Sequence, residues 1–327
     1  MNASLCALIC AIPVWACQGP ESGPPVLPAP LKQTLVVTGA PDPIPLEEAD
    51  RSVESLPVRG QTLLFSALVD VLKLDPSIDL RQRGANGMQA DISLRGSSFG
   101  QVLVLVNGRR MNDPQSGHHH MDLAVPLEAI DRIEVLRGAG STLYGADAAG
   151  GVVHLITSPT GHSEIRLNAG LGNFGVNQQR ASITGVRGAL SQSLSIARDF
   201  STGFMDGRDY RGLALYSGTN WTSKLGATGI DLGYSDRPFG ANQFYGNYNS
   251  WERTKTWMGS FRQSIGERTE ASLGYRRHTD LFVLSRDRPQ VYANHHVAES
   301  WHASLRRRET LAQGVSFYYG GEGFGDS

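Results

Sequence analysis

The second half of the chain consists of nine short segments in which polar residues alternate with apolar or aromatic ones. Each has about ten residues, the length with which a tilted β-strand crosses a bilayer, one face toward lipid and the other toward an aqueous lumen. A soluble β-sandwich is the alternative, but small residues on one face and aromatic residues near the strand ends favour a transmembrane β-barrel. The segments, which follow Gly161, are SEIRLNAGLG, QQRASITGVRG, SQSLSIARDF, RGLALYSGTNW, KLGATGIDLGYS, TKTWMGSFRQSI, TEASLGYRRHT, AESWHASLRRR and GVSFYYGGEG.

Residues 50–160 have the mixed pattern of a compact α+β domain. The run QTLLFSALVDVL, residues 61–72, places apolar residues on one helical face, and Pro76 lies just beyond the end of that helix. Asn107-Gly108 predicts a tight turn between two strands. The predicted fold class is therefore a mixed α+β domain followed by antiparallel transmembrane β-barrel strands. The strand runs of the first domain are IDLRQ, ADISLRG, QVLVLVNGRRM, IDRIEVLRG and GGVVHLIT.

The N-terminal region predicts export from the cytoplasm. Residues 1–16 contain an apolar stretch too short to span a bilayer, which is typical of a signal peptide. Cleavage after it would leave Cys17 first, as in a lipoprotein, and lipidation of this residue stays open. Residues 17–33 are rich in proline and predict an extended linker. The β-branched run at residues 34–39 is then either an edge strand of the next domain or a strand that pairs with another protein.

Several function classes are excluded by composition and spacing. A formal net charge of −1, with 19% charged residues spread along the chain, offers no basic face for nucleic acid. All three cysteines lie within the first seventeen residues, so the later domains have neither disulfides nor a thiolate metal site. The run GLGNFG, from Gly170 to Gly175, lacks a following helix and is a turn between strands rather than a dinucleotide site. No nucleophile and orienting acid recur at a recognisable spacing, so we predict that the protein is not an enzyme.

Two long runs carry a resemblance to a known family. They are ISLRGSSFGQVLVLVNGRRMNDP and PLEAIDRIEVLRGAGSTLYGADAAGGVVHLIT, and in their order they resemble the plug-domain motifs of TonB-dependent outer-membrane receptors. The resemblance covers residues 34–157 motif by motif, and it covers the later strands only by their alternation of polar with apolar or aromatic residues. Leu94, Asn107 and Ala139-Gly140 depart from the family pattern, but asparagine and glycine still suit the tight turns.

The resemblance implies active import of a scarce ligand across the bacterial outer membrane. A corrinoid, a siderophore or another metal chelate would be the ligand, with no cofactor, and an energy-transducing protein of the TonB type and outer-membrane lipid would be the partners. The family's TonB box falls on Thr34, Leu35, Val36, Val37 and Thr38. The plug loops that contact ligand in the family's vitamin B12 receptors fall on Met88, Gln89, Asn112, Asp113, Gln115, Ser116, His118, His119 and His120.

The consecutive histidines keep several interpretations open. Turn-forming residues around them predict a loop, in which they contact the imported ligand or serve the structure. Imidazole also binds transition metals, but adjacent donors without a defined third ligand predict no metal site. Arg95, Glu134 and Arg137 are charges within apolar strands, and buried charges must be paired. Their predicted partners are either carboxylates of the barrel wall, as in the family, or residues of the plug itself.

The chain is short for this family. A plugged barrel of 22 strands needs about 450 residues, whereas about 170 follow Gly161. We therefore expect residues 161–327 to be the N-terminal part of an incomplete barrel, and the chain to be a fragment of a longer product. The alternative is a truncated or vestigial receptor that acts only as a plug-like binding module.

Overall fold

The computed structural model describes residues 35–40, 42–157, 161–312 and 315–327. The predicted signal peptide at residues 1–16, the linker at residues 17–33 and Thr34 lie outside these ranges. Within the described ranges, no helix combines the length and the apolar character needed to cross a membrane.

The first domain is built on a five-stranded sheet with the order β3-β8-β9-β6-β7. Strand β6 pairs in parallel with β9, and every residue of both strands is buried. Such near-continuous apolar runs are typical of strands covered on both faces. The sheet strands are β3 (Val53–Pro57), β6 (Val102–Val106), β7 (Arg109–Arg110), β8 (Arg132–Arg137) and β9 (Gly151–Ile156). The hairpins beside the sheet are β1 (Leu35–Val36) with β2 (Ile44–Pro45), and β4 (Ile78–Gln82) with β5 (Ala90–Leu94).

The helix predicted for residues 61–72 is much shorter in the structure. A 3-10 turn covers Thr62–Leu64, the chain then extends, and α1 occupies Leu68–Leu72. The carboxylate of Asp70 accepts hydrogen bonds from the N–H groups of Ser66 and Ala67, which sets the start of the helix. The second helix, α2, spans Ser141–Tyr144, and further 3-10 turns lie at Leu46–Glu48, Phe99–Gln101, Gly117–His119, Leu127–Ala129 and Ala146–Ala148.

Two turn predictions are confirmed. Asn107 and Gly108 have φ of 48° and 80°, and they join β6 to β7 as a tight hairpin. The GLGNFG run ends one strand at Leu171 and precedes the next at Asn177, and these two residues pair across the turn. The glycine-rich run is therefore a connection between strands.

The predicted run of nine strands is confirmed as one antiparallel sheet in sequential order, β10 to β18. The first strand of this sheet has 8 residues, and the other eight have 11 to 20 residues, more than the ten expected, because the hairpins continue past the length needed to cross a bilayer. They are β10 (Glu164–Leu171), β11 (Asn177–Arg187), β12 (Leu190–Ser201), β13 (Tyr210–Thr222), β14 (Ala227–Asn242), β15 (Asn249–Ile265), β16 (Thr269–Val283), β17 (Ala293–Ala312) and β18 (Val315–Asp326).

The two faces of this strand wall differ in chemistry. On the face that packs against the first domain, Glu252, Thr254 and Thr256 alternate along β15 and are each about 1% exposed. On the opposite face, large apolar side chains such as Leu232 and Leu273 are more than half exposed. A polar inner face and an apolar outer face are the expected pattern of a barrel wall in lipid.

The connections between wall strands differ at the two ends. At one end lie the longer connections, residues 202–209, 243–248 and 284–292, and at the other end lie the short turns at residues 188–189 and 266–268. Outer-membrane barrels have long extracellular loops and short periplasmic turns. The end with the longer connections is therefore the extracellular end.

Candidate functional site between the plug and the strand wall

The histidine segment forms a compact turn, as the sequence predicts. Asp113 Oδ1 accepts hydrogen bonds from the N–H groups of Gln115 at 2.9 Å and Ser116 at 3.3 Å. The hydroxyl of Ser116 in turn accepts the N–H of His118 at 3.3 Å, which starts the 3-10 turn at Gly117–His119. Short polar side chains thus hold the loop by bonding to its backbone.

His118 is the half-buried member of the triplet. Its Nδ1 lies 2.6 Å from Asp91 Oδ1, and its ring centroid is 4.9 Å from that of Phe99. The carboxylate fixes the orientation of the imidazole from one side, and the phenyl ring covers part of one face. Of the three histidines, His118 keeps the most exposed surface.

His119 is buried among carboxylates. Its Nδ1 lies 3.3 Å from Asp122 Oδ2, its Nε2 lies 3.9 Å from Asp280 Oδ2, and its ring centroid is 4.8 Å from that of His278. Burial lowers the pKa of His119, but the neighbouring carboxylates, Asp122 foremost, outweigh it and raise this pKa to about 9. The carboxylates around the ring therefore favour positive charge at this position.

His120 is also buried, but in its case the effect of burial outweighs that of the neighbouring charges. Its Nδ1 lies 3.4 Å from the side-chain nitrogen of Asn112, and burial lowers its pKa to about 4. The amide of Asn112 also accepts the N–H of Val104 at 2.8 Å and donates to the carbonyl of Val102 at 3.0 Å. Asn112 and His120 therefore brace the loop against strand β6.

Charged pairs anchor the loop to the wall. Asp113 Oδ2 lies 2.7 Å from a guanidinium nitrogen of Arg276 on β16, and both side chains are at most 2% exposed. The Arg276 charge lowers the pKa of Asp113 despite burial. Asp122, just after the histidines, pairs at 2.7 Å with Arg237 on β14. Neither arginine was predicted, because nothing in the sequence links residues so far apart.

The other predicted ligand loop also packs against the wall. Met88 is buried against Tyr210 and Phe239. Gln89, with φ of 45°, donates its side-chain N–H₂ to both carboxylate oxygens of Glu252 at 2.9 Å. Of the nine predicted ligand residues, those with the least exposed surface are Met88, Gln89, Asp113, His119 and His120.

The extracellular end of the wall carries aromatic side chains above this loop. Phe244, Tyr245, Phe282 and Tyr292 form a chain of ring contacts with centroids 5.2 to 6.3 Å apart. The guanidinium of Arg208 lies 4.3 Å from the ring centroid of Phe244, and that of Arg83 lies 5.3 Å from the ring centroid of Tyr245. Aromatic rings with cations over them are suited to a planar or anionic ligand.

A cavity of about 320 Å³ lies between the histidine loop and strands β15 to β18. Gln115, Ser116 and His120 line it from the plug, and Tyr275 and Trp301 line it from the wall. Five of the nine predicted ligand residues line this cavity, namely Asn112, Asp113, Gln115, Ser116 and His120.

The embedded charges Arg95, Glu134 and Arg137 were predicted to reach either the wall or other plug residues. In the described chain their polar contacts lie within the plug, so the local alternative fits them. Most ion pairs between the plug and the wall instead place the carboxylate on the plug and the arginine on the wall. The plug contacts are the Arg137 carbonyl for Arg95, Glu54 and Asp75 for Arg137, and Arg132, Val37 and Thr38 for Glu134.

The described part of the predicted TonB-box segment, residues 35–38, lies against the plug. Strand β1 pairs with β2, and the N–H groups of Val37 and Thr38 both donate to Glu134 Oε2 at 2.9 Å. The Thr38 hydroxyl donates to the same oxygen at 2.6 Å and meets His154 Nδ1 at 2.9 Å. In this structure β1 belongs to a separate two-stranded sheet with β2, so it is not an edge strand of the five-stranded sheet, and its pairing with another protein stays a prediction.

Among the residues that the structure describes, two groups of side chains could hold a metal ion, a possibility that sequence spacing did not indicate. One consists of His119, Asp122 and His278, and the other of His119, Glu252 and Asp280. In each group the candidate ligand atoms lie within 4.8 Å of one another, and all these residues are buried. The members come from the plug and from two wall strands, so only the folded arrangement brings them together.

A compact α+β domain packed on the polar face of a strand wall is the arrangement found in plugged outer-membrane barrels. Residues 60–152 match the family model "TonB-dependent Receptor Plug Domain". The chain is 36% identical over 143 residues to a vitamin B12 transporter of Vibrio vulnificus strain CMCP6, a match that covers 42% of this chain and 23% of that transporter. A second Vibrio vulnificus vitamin B12 transporter, from strain YJ016, is 33% identical over 147 residues.

Solved structures share the fold. The siderophore receptor PirA from Acinetobacter baumannii has a TM-score of 0.61 at 16% identity and covers 84% of this chain and 48% of its own. The copper transporter OprC has a TM-score of 0.68 at 15% identity and covers 85% of this chain and 46% of its own. The chain thus spans about a quarter of the curated relatives and about half of the solved structures that it matches.

These comparisons confirm the family resemblance and the fold. The chain carries a TonB-dependent receptor plug domain at residues 60–152, and it is followed by barrel-like strands that form an open sheet in the structure. Its relatives are transporters and receptors rather than enzymes. The outer membrane is accordingly its location.

Proposed function

We propose that this chain serves TonB-dependent import of a scarce ligand, with a corrinoid as the first candidate. The supporting observation is a plug domain whose loops pack beneath an aromatic cluster at the extracellular end of the wall. The two vitamin B12 transporters among its relatives match 42% and 45% of this chain, which makes cobalamin the first ligand to test. Siderophores and other metal chelates remain in the same proposal, since the shared fold does not distinguish them.

The predicted loop residues fall into two groups, those with surface that a ligand could reach and those engaged in internal contacts. Gln115, Ser116 and His118 keep surface that a ligand could reach, and the first two line the cavity. We assign direct contact to these three. Met88, Gln89, Asn112, Asp113, His119 and His120 are engaged in internal contacts, and their proposed role is to hold the loops in position.

The partner in this proposal is an energy-transducing protein that pairs with residues 34–38. A short strand offers its N–H and C=O groups to an added strand, so recognition depends on the backbone. We expect Val36→Pro to abolish uptake, because proline removes a donor, whereas Val36→Ala keeps the donor and should retain uptake. Radiolabelled cobalamin uptake by cells expressing each variant measures this.

Ligand binding to the same cells separates import from the binding-module alternative. Binding by both variants with uptake lost only in the proline variant supports active import through this segment. Equal uptake by the two variants would contradict the partner assignment. Cobalamin binding without any uptake by the wild-type chain would instead favour the plug-like binding module.

A further inference from the structure

The most unusual electrostatic feature of the interface is a pair of buried carboxylates without a strong cationic partner. Glu252 on β15 is 1% exposed and Asp280 on β16 is 5% exposed. Both project from the inner face of the wall toward His119 of the plug. In the described part of the chain, neither carboxylate forms an ion pair with an arginine or lysine.

The nearby arginines are matched to other groups. Arg237 pairs with Asp122, and Arg276 pairs with Asp113. Only imidazoles approach Asp280 as ion-pair partners, namely those of His119 at 3.9 Å and His296 at 3.6 Å. Since buried carboxylates require compensation, an additional cation is the simplest way to balance this group.

A second observation concerns unsatisfied polar atoms on the same group of residues and on Gln89 beside it. Asp280 Oδ1 is buried and has no hydrogen-bond partner, and the buried side-chain oxygen of Gln89 beside Glu252 has none either. An unsatisfied buried oxygen is costly, and each such atom in a native protein calls for a partner. Both atoms lie on residues that surround the His119, Glu252 and Asp280 group.

We propose that His119, Glu252 and Asp280 bind a divalent transition-metal cation that links the plug to the barrel wall. One imidazole nitrogen with two carboxylates is a ligand set suited to Zn²⁺ and related ions. Donor atoms bonded to one Zn²⁺ at about 2.1 Å lie at most about 4.2 Å apart, and the 3.9 Å from His119 Nε2 to Asp280 Oδ2 satisfies this limit.

The surrounding residues serve as supports for these ligands. Gln89 donates to both oxygens of Glu252, and the Tyr245 hydroxyl also donates to that carboxylate, which fixes its orientation. Asp122 holds Nδ1 of the same His119 ring whose Nε2 faces Asp280. The proposed metal thereby joins three segments that are distant in sequence. This site stands independently of the identity of any imported ligand.

The test uses the purified full-length chain in detergent, treated with a chelator and titrated with Zn²⁺. We expect one tight site per chain, and a loss of roughly 100-fold in affinity in Asp280→Asn and in His119→Gln. His295→Gln is the matched control, because His295 neighbours His296 on β17 but projects from the outer face, and it should bind like the wild type.

Another variant distinguishes the proposed site from the other candidate group. His278→Gln should leave the affinity within a few-fold of wild type, whereas a large loss there would move the metal to His119, Asp122 and His278. X-ray absorption of the zinc-loaded chain should show nitrogen and oxygen neighbours at about 2.0 to 2.2 Å with an imidazole signature. Circular dichroism of every variant reports whether the wall remains folded.

Two outcomes would overturn the proposal. The wild-type chain could retain its fold and bind no Zn²⁺ above background, in which case a protonated His119 balances the carboxylates. Binding that survives unchanged in folded Asp280→Asn would equally exclude this site.

Discussion

At the scale of single residues, hydrogen bonds determine which histidines can take up a proton. The N–H of Gly108 donates to His154 Nε2 at 2.8 Å, so that nitrogen must be unprotonated. The proton of the neutral ring then lies on Nδ1, which donates to the Thr38 hydroxyl at 2.9 Å, and Thr38 donates onward to Glu134. This series of hydrogen bonds is complete only while the His154 imidazole is neutral.

This arrangement predicts a pH dependence of plug stability. Burial lowers the pKa of His154 from 6.5 to about 4, so between these values the unfolded chain binds a proton that the folded chain does not. The contribution of His154 to stability should therefore be level above pH 6.5 and fall by about 3 kcal/mol as the pH decreases to 4. Hydrogen exchange of β9 amides, corrected for intrinsic rates, measures the change.

His154→Asn provides the comparison for that measurement, because an amide is neutral throughout this range. The variant should be less stable at neutral pH but should lose the part of the acid dependence that wild type owes to His154. Parallel pH profiles for the two proteins would refute the assignment.

At the scale of elements, strand β1 is held by a carboxylate more than by its pairing with β2. The pairing involves two residues of each strand, whereas Glu134 receives the N–H groups of Val37 and Thr38 and the Thr38 hydroxyl. Hydrogen bonds to a charged group contribute about 1.5 to 3 kcal/mol, more than neutral ones. The release of β1 should therefore be controlled by Glu134.

We expect Glu134→Gln to speed hydrogen exchange of the Val37 and Thr38 amides by at least about 10-fold, because the acceptor loses its charge. Glu54→Gln is the control, since Glu54 pairs with Arg137 and does not contact β1. Exchange measured by mass spectrometry on the peptide containing these residues gives the comparison. An unchanged rate in Glu134→Gln would mean that β1 is held by its pairing alone.

The elements were largely predictable because their signals are local. Period-two alternation identifies each wall strand without knowledge of the rest of the chain. In the same way, Asn107-Gly108 identifies the hairpin between β6 and β7. The helix at residues 61–72 was overestimated because apolar spacing alone cannot show that Asp70 caps a start at Leu68. Strand lengths were underestimated because the thickness of the bilayer sets a minimum length for a strand that crosses it but no maximum length.

The site was less predictable because its contacts join distant positions. The sequence indicated the histidine loop, but His119 meets Asp280, and Gln89 meets Glu252, more than 150 residues away. No local pattern marks such partners. The predicted strand segments began after Glu252 and ended before Asp280, so only an extension of their alternating pattern would have put these residues on the inner face, and it could not show which plug residue they face.

At the scale of the whole molecule, buried charge pairs connect the plug to the wall. Asp113 with Arg276 is the most buried of them, at 0% and 2% side-chain exposure. Removing one member of a buried pair leaves the other charge uncompensated, which costs about 3 to 5 kcal/mol, whereas removing both avoids most of that penalty. The attachment of the plug should therefore respond non-additively to substitution.

A double-mutant cycle measures this attachment. We expect Asp113→Asn and Arg276→Met each to increase the rate of hydrogen exchange in the histidine loop strongly. The double variant should exchange more slowly than the two single effects, added together, would predict. Asp79 and Arg81, an exposed pair at 59% and 83%, form the control cycle, where coupling should be at most about 1 kcal/mol. Additive effects at Asp113 and Arg276 would mean that shape complementarity, rather than charge pairing, holds the plug in the wall.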